Sequence, residues 1–143
     1  MEESIFTKIV KGEIPSEKVY EDKNFLAFMD IMPAVKGHTL VIPKKQYETF
    51  IDIPDDIVCD YILVVKKVAQ AVVKATKAKG YKVEMFNGSY AGQGVFHAHF
   101  HIIPRYEGED ILFKDESNWW VPQKDLYDDG EIKEWAQMIR DNL

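Results

Sequence analysis

At 143 residues, with 46% apolar and 29% charged side chains, the chain can bury one substantial core, which argues against a disordered protein. A net charge of −6 without a dense basic run argues against binding along a nucleic-acid backbone, while leaving room for a single nucleotide in a local pocket. Cys59 is the only cysteine, so no internal disulfide or thiolate zinc cluster is available; the start, Met1-Glu2-Glu3-Ser4, lacks a signal-peptide pattern, and no apolar run reaches membrane-spanning length. The expectation is a cytoplasmic protein with neither nucleic acid nor membrane as partner.

Ser4 is placed to cap a short helix carrying Ile5, Phe6, Ile9 and Val10, which Gly12 stops. Lys18 to Glu21 reads as a strand, and Asp22-Lys23-Asn24 turns the chain into a second strand over Phe25 to Met29, with Asp30 at its end. Pro33 and Gly37 bracket a loop, and residues 37–43 follow as a third strand. A helix starts near Pro54, with Asp55 and Asp56 in its first turn. Ile57, Val58, Tyr61, Ile62, Val65, Val68, Ala69, Val72 and Val73 hold its helical period, Lys66, Gln70, Lys74 and Lys77 form a solvated face, and Gly80 is the stop.

Lys82 to Asn87 reads as a fourth strand, and a loop with Gly88, Gly92 and Gly94 returns the chain antiparallel into a fifth, residues 95–105. Asn118-Trp119-Trp120-Val121-Pro122 shows no period, and Glu131 to Leu143 reads as a last helix with Ile132, Trp135, Met138 and Ile139 on one stripe. Hairpin-linked strands with one dominant helix predict an α+β fold with an antiparallel sheet. One domain is expected over 1–143, with a core at 4–105 and a C-terminal extension, 106–143, carrying the last helix.

Alternation along the fifth strand sets His97, His99 and His101 on one face, with Ala98, Phe100 and Ile102 turned into the core. Three of the chain's four histidines on one face of a strand mark a site. Two chemistries suit it. Alternate imidazoles can share a zinc ion, with His38, Cys59 or a distant carboxylate completing the set. Alternatively, a neutral imidazole attacks phosphorus while its second nitrogen is held by an acceptor that fixes the tautomer. The glycine loop ahead of His97 supplies main-chain N–H groups for an anion, which favours phosphate over zinc.

His97-Ala98-His99-Phe100-His101-Ile102-Ile103 resembles the signature of the histidine triad (HIT) superfamily, in particular its Hint-like nucleotide-binding members. The likeness extends to residues 5–15, to Phe25–Asp30 and Gly37–Lys44, and to Asn87-Gly88 with Ala91-Gly92-Gln93, covering roughly 4–105. It implies a HIT-like fold: a five-stranded antiparallel sheet with one long helix and short flanking helices. It further implies hydrolase or transferase chemistry on the α-phosphate of a purine nucleoside phosphoramidate or related AMP-like nucleotide, in a homodimer whose sheets join, with no cofactor and no catalytic metal. The resemblance makes His99 the nucleophile that becomes nucleotidylated, sets His101 on the phosphate and leaving-group side, and has His97 and His38 orient the array. It places Asn87, Gln93, Gly94 and Val95 at the phosphate and Asp30 at the ribose hydroxyls, with Phe6, Ile9, Phe28 and Ile31 as the slot for the base.

Two positions depart from the pattern. Many bacterial members carry Cys-x-x-Cys where this chain has Ser4 and Thr7, so their structural zinc is not expected. The residue after Gln93 is often Ser or Thr, placed to help the departing group, and here it is Gly94. A nucleotide- or partner-binding module with incidental hydrolysis, a dinucleoside polyphosphate hydrolase and a zinc protein are the alternatives.

Overall fold

The computed structural model describes residues 2–108 and 122–143. Ser4 Oγ accepts the Thr7 N–H at 3.0 Å and caps a short helix, α1 (Ile5–Val10). Strands β1 (Lys18–Glu21) and β2 (Phe25–Met29) join through Asp22, whose Oδ1 accepts the N–H groups of Asn24 and Phe25, each at 2.8 Å. Then come β3 (Thr39–Pro43), the long helix α2 (Asp55–Thr76), β4 (Gly80–Glu84), β5 (Phe100–Arg105) and α3 (Glu131–Arg140). The strand order is β1-β2-β3-β5-β4 with every neighbouring pair antiparallel, the α+β architecture expected.

Every residue of β2 and β3 is buried, because both faces of the sheet are covered there. Phe25, Ala27, Met29, Val41 and Ile102 pack with Val65, Val68, Ala69 and Val72 of α2. Leu26, Phe28, Leu40 and Ile42 turn to the other face and pack with Phe6 and Ile9 of α1. The period-2 pattern of the strands thus feeds two cores at once. The last helix brings Ala136 and Ile139 into the α2 core, with Ile132 and Trp135 at its margin, whereas Met138 is only half-buried.

Several boundaries differ from the sequence expectation. Gly80 does not stop α2. The helix ends at Thr76 with Lys77 in the left-handed region, φ 57°, and Gly80 already pairs with Arg105 as the first residue of β4. β4 ends at Glu84, short of Asn87, whose Oδ1 accepts the Phe50 N–H at 2.8 Å and pulls that stretch toward the Phe50–Asp52 turn. β3 starts at Thr39, because Gly37 sits at φ 96° and the His38 N–H bonds to Val35 O in a turn. α3 ends at Arg140, short of Leu143, where the Asp141 N–H closes onto Gln137 O. Ile62 of α2 faces solvent although it fits the apolar period. The aperiodic stretch at Trp119, Trp120 and Val121 lies outside the described residues.

The largest correction concerns the histidine strand. β5 begins at Phe100, five residues after the expected start at Val95. Ahead of it the chain peels away from β3, and its main chain finds other partners: Ala98 N–H donates to Tyr47 O at 2.7 Å. At the point of separation, Tyr61 of α2 donates its hydroxyl hydrogen to Val41 O at 2.5 Å and accepts the Phe100 N–H at 3.2 Å. Val41 and Phe100 are register partners, so one buried phenol bridges the place where the ladder ends. Replacing Tyr61 by Phe would orphan a buried carbonyl and take the partner from a half-buried N–H; an unsatisfied buried group typically costs about 1–3 kcal/mol. We expect Tyr61→Phe to lose roughly 2 kcal/mol in urea unfolding; a loss under about 0.5 kcal/mol, the ordinary range for neutral substitutions, would show that the phenol does not hold this junction.

Candidate active site

All four histidines meet on the α1 face of the sheet. His101 lies in β5 opposite Leu40, and His38 directly precedes β3. His97 and His99 come from the segment that has left the ladder, yet the alternation survives: His99 and His101 have ring centroids 4.8 Å apart, while Ala98 and Ile102 join the opposite core. All four are buried.

Hydrogen bonds assign each ring a tautomer. His99 Nδ1 lies 2.7 Å from His97 O, an obligate acceptor, so Nδ1 carries the hydrogen and Nε2 the lone pair. His97 Nε2 donates to Pro43 O at 2.7 Å, which leaves its Nδ1 to accept from Ser4 Oγ at 2.8 Å. His38 Nδ1 accepts the Ala34 N–H at 2.9 Å, so its hydrogen sits on Nε2, 2.9 Å from His101 Nδ1. His101 therefore accepts at Nδ1 and carries its own hydrogen on Nε2.

Burial keeps all four rings neutral. It pushes His38 down to about 3, helped by the proximity of His99, and His97 down to about 4. Burial, then His99 and His38, takes His101 to about 2, and burial also lowers His99, against the bond to His97 O.

A cavity of about 540 Å³ opens beside these rings. Of the residues expected at the site, Phe6, Ile9, Phe28, Asp30, Ile31, Gly94, Val95, His99 and His101 line it. Phe6 stands edge-on to both Phe28 and His99, with centroids 5.4 and 5.0 Å away. Asp30 Oδ1 accepts the Met32 N–H at 2.8 Å, and Oδ2 lies 3.5 Å from His38 Nε2; burial raises its pKa.

His38, His97, Asn87 and Gln93 are not among the lining residues. Asn87 is tied to Phe50 N–H, and Gln93 is buried with its amide fully engaged: Oε1 accepts the Gly88 N–H at 2.7 Å, while Nε2 donates to Glu48 O at 2.7 Å and Val95 O at 3.0 Å. Gln93 thus shapes the glycine loop from inside, with both amide hydrogens committed to main-chain carbonyls. Gly92 sits at φ 90°, but Gly94 has an ordinary φ and nothing within 4 Å of an added Cβ, so a side chain at 94 meets no steric barrier. Phe86, Ile14, Pro15 and Pro122 line the cavity without having been singled out. Phe86 was within reach of the strand pattern: Glu84 pairs with His101, and two residues further the same face leads to the ring 5.4 Å from His101. Pro122 follows residues that carry no periodic signal.

Asp30, His38 and His101 bring potential ligand atoms within 4.8 Å of one another. A metal there would need the lone pair of His38 Nε2, which moves the hydrogen to Nδ1, against the Ala34 N–H. This cluster is built around a proton. The positions Ser4 and Thr7 likewise present hydroxyls in place of thiolates. Ser4 N–H and Thr7 Oγ1–H both donate to Gln46 Oε1 at 2.8 Å, and Ser4 Oγ already occupies His97 Nδ1. That donor set does not fit a structural zinc.

Three neutral, tautomer-locked imidazoles spaced by two on one chain segment, with a fourth behind them and a glycine loop in front, are one arrangement. The sequence model of the HIT domain matches it across residues 11–108. The chain belongs to the HIT family. A HIT-like protein of Methanocaldococcus jannaschii is 54% identical over 110 residues, 77% of this chain and 84% of that one. Adenylylsulfatase HINT3 of Arabidopsis thaliana is 37% identical over 139 residues, 97% and 68% of the two chains. The adenosine 5'-monophosphoramidase HNT1 of Saccharomyces cerevisiae is 46% identical over 108 residues, 76% and 66%. Among solved structures, a Hit-like protein of Bartonella henselae superposes with TM-score 0.81 at 42% identity, over 98% of this chain and 96% of that one. No helix among the described residues is long and apolar enough to cross a membrane.

The neutral histidines of this HIT protein have a cost that depends on pH. Each has a folded pKa below its ordinary 6.5, so between the two values the unfolded chain binds the extra proton. Stability therefore falls as pH drops below 6.5, and the loss continues toward the folded values of about 4, 3 and 2 for His97, His38 and His101. The raised Asp30 acts in the opposite sense, but only as pH approaches the carboxylate range. We expect the melting temperature to fall steadily from pH 6.5 to 4.5, with a proton uptake on unfolding that exceeds one; a flat profile would mean that the imidazoles keep their ordinary pKa in the fold.

Proposed function

We propose that the protein is a nucleotide hydrolase that cleaves the α-phosphate of a purine nucleoside phosphoramidate, or a related AMP-like nucleotide, through a covalent nucleotidyl-His99. The observation that carries this reading is the His99 Nδ1–H bond to His97 O, which leaves Nε2 with its lone pair on a ring that lines the cavity. Nε2 attacks phosphorus, and the bond from phosphorus to the leaving group breaks as that group takes a proton. Water then cleaves the phosphorus–nitrogen bond, releasing the nucleoside monophosphate and restoring the neutral ring. Relatives named as an adenosine 5'-monophosphoramidase and an adenylylsulfatase support this class, since both names describe an enzyme acting on an adenosine-bearing phosphate compound.

The remaining roles follow from position. His101, with its hydrogen on Nε2, donates to the phosphate or the departing atom, and His38 and His97 hold tautomers and orientation. Main-chain groups at Gly94 and Val95 form the anion cradle, while Gln93 and Asn87 brace the loop behind it. Asp30 takes the ribose hydroxyls, and Phe6, Ile9, Phe28 and Ile31 sandwich the base. We further propose a cytoplasmic homodimer whose sheets join at β4. That strand is a sheet edge, with Tyr81 56% and Val83 41% exposed beside the uncovered Ile62 and Leu63 of α2.

Replacing His99 by Gly should abolish release of AMP from an adenosine phosphoramidate, by several orders of magnitude and on the order of 10⁶ if the triad behaves as one catalytic unit. AMP affinity should stay within a few-fold, because Asp30 and the glycine loop are untouched. Turnover near the wild-type rate would remove His99 as nucleophile, and a wild-type protein that binds AMP without trapping a nucleotidyl-histidine would make it a binding module.

Gly94 bears on the leaving group. Since position 94 has room and an ordinary φ, Gly94→Ser should install a hydroxyl without distorting the loop. A gain of roughly 10²-fold, the lower end of general acid assistance, is expected for basic amine leaving groups and little change for groups that depart unaided. No selective gain on amine leaving groups, with AMP affinity unchanged, would show that position 94 takes no part in protonation.

A further inference from the structure

The loop 31–37 joins Asp30 to His38, so whatever holds it also holds one wall of the site. Part of that support lies beyond residue 108, where the HIT match ends. Gln123 N–H donates to Pro33 O at 2.9 Å, and Gln123 Nε2 donates to Ala34 O at 3.1 Å. Tyr127 Oη accepts the Gly37 N–H at 2.7 Å, and Glu131 Oε2 receives Lys36 Nζ at 2.8 Å. From the other side, Tyr106 donates its hydroxyl to Lys36 O at 2.6 Å. Gly37 itself has no alternative: an added Cβ would meet Pro104 Cγ and Tyr106 Oη at 3.0 Å, at a φ of 96°.

One of these contacts has a direction that matters. The peptide between Pro33 and Ala34 accepts the Gln123 N–H at its oxygen and donates its own N–H to His38 Nδ1. His38 passes the polarity on, since its Nε2–H can only donate: among the described residues it faces His101 Nδ1 at 2.9 Å and, farther off, Asp30 Oδ2 at 3.5 Å. Every hydrogen in this chain points toward the cavity. Without the Ala34 donor, the hydrogen on His38 Nε2 loses its support from the Nδ1 side, although Asp30 Oδ2 at 3.5 Å still favours it, and the pair His38–His101 could also run the other way, with His101 donating from Nδ1 and its Nε2 turned into an acceptor. A peptide bonded at its oxygen is also a stronger donor at its nitrogen, so the link at Gln123 reinforces the one at His38.

We propose that Gln123 is a positioning residue of the active site: its main-chain N–H starts a one-way hydrogen-bond relay through the Pro33–Ala34 peptide and His38 that keeps the hydrogen of His101 on Nε2. The inference rests on the proposed reaction for its effect on rate, but the tautomers it predicts exist without substrate. On this reading the C-terminal segment, which also sets Pro122 against the cavity, is part of the catalytic unit. Gln123 and Tyr127 hold the loop in the one position where Ala34 reaches His38.

Proline at 123 removes the donor, whereas alanine keeps it and removes only the side-chain tie to Ala34. Gln123→Pro should lower kcat for AMP release roughly 10²-fold, as expected when a positioned proton donor is lost, with KM within a few-fold. Long-range ¹H–¹⁵N spectra of the full-length protein should show His38 and His101 gaining hydrogen at Nδ1. Gln123→Ala should lose only several-fold in rate and keep the wild-type ring pattern. A proline variant with wild-type tautomers would overturn the relay whatever its rate, and equal losses in both variants with unchanged rings would reduce Gln123 to a structural tie. If the wild type binds AMP but turns nothing over, the hydrolase reading fails while the ring spectra still decide the relay. Should the proline variant not fold, a semisynthetic full-length chain with an ester in place of the 122–123 amide, which lacks the N–H but keeps the side chain, takes its place: hydrogen gained at Nδ1 of His38 and His101 supports the proposal, and wild-type rings overturn it.

Discussion

The bond from His99 Nδ1–H to His97 O, 2.7 Å long, can exist only because His97 has left the sheet. In a regular antiparallel ladder that carbonyl would have been spent on a neighbouring strand or turned from its own side chains. Releasing it creates a local debt of main-chain partners on both sides, and buried main-chain groups do not stay unpaired. The fold settles that debt with side chains and loops: Tyr61 bridges Val41 and Phe100, His97 Nε2 takes Pro43 O, and Tyr47 O takes Ala98 N–H. The end of β5 and the tautomer of His99 are thus one structural fact.

The same economy explains how the buried imidazoles stay uncharged. Four neutral imidazoles lie against an apolar face completed by α1, whose Phe6 packs on Phe28 and on both His97 and His99. Burying a side chain such as Phe6 or Ile9 contributes about 1.5–3 kcal/mol. That gain offsets part of what is lost by withholding charge from the histidines. Phe6 serves the core and the cavity at once, so α1, only six residues long, is held by tertiary contacts and by the Ser4 cap more than by its own propensity.

Much of this was legible in the chain. Strand alternation gave the two faces of β2, β3 and β5, and the period of Tyr61, Val65, Val68 and Val72 gave the packed face of α2. The histidine spacing and its resemblance to the triad family pointed to the residues that the fold gathers. What could not be read are the places where a side chain replaces a ladder bond. Nothing local in Val95 to His99 says that this apolar, β-prone stretch leaves the sheet, because the cause is Tyr61, nearly forty residues away. Gln93 shows the same limit: its type suits an anion donor, but its three loop contacts are a property of the fold. Gln123 lies in a segment without periodicity, and only the closed structure puts it behind Pro33.

The absence of a cationic side chain among the described residues that line the cavity has a consequence for the chemistry. Asp30 is the only charged type there, and it repels a phosphate, so on the proposed reaction the anion would be held by dipoles: main-chain N–H groups of the glycine loop and the Nε2–H of His101. Dipoles fixed among buried side chains cost no reorganisation when charge develops, and they act more strongly there than in bulk water. They do not, however, trap a dianion as a lysine or arginine would. On the proposed reaction, a monophosphate product, carrying more charge than the phosphoramidate it came from, would gain less from such a site than from a cationic one. Such a site would favour turnover over retention. It also makes the direction of each donor decisive, since a ring that turned its lone pair to the phosphate would oppose the anion. Where no charge is available to compensate, the tautomers are the electrostatics.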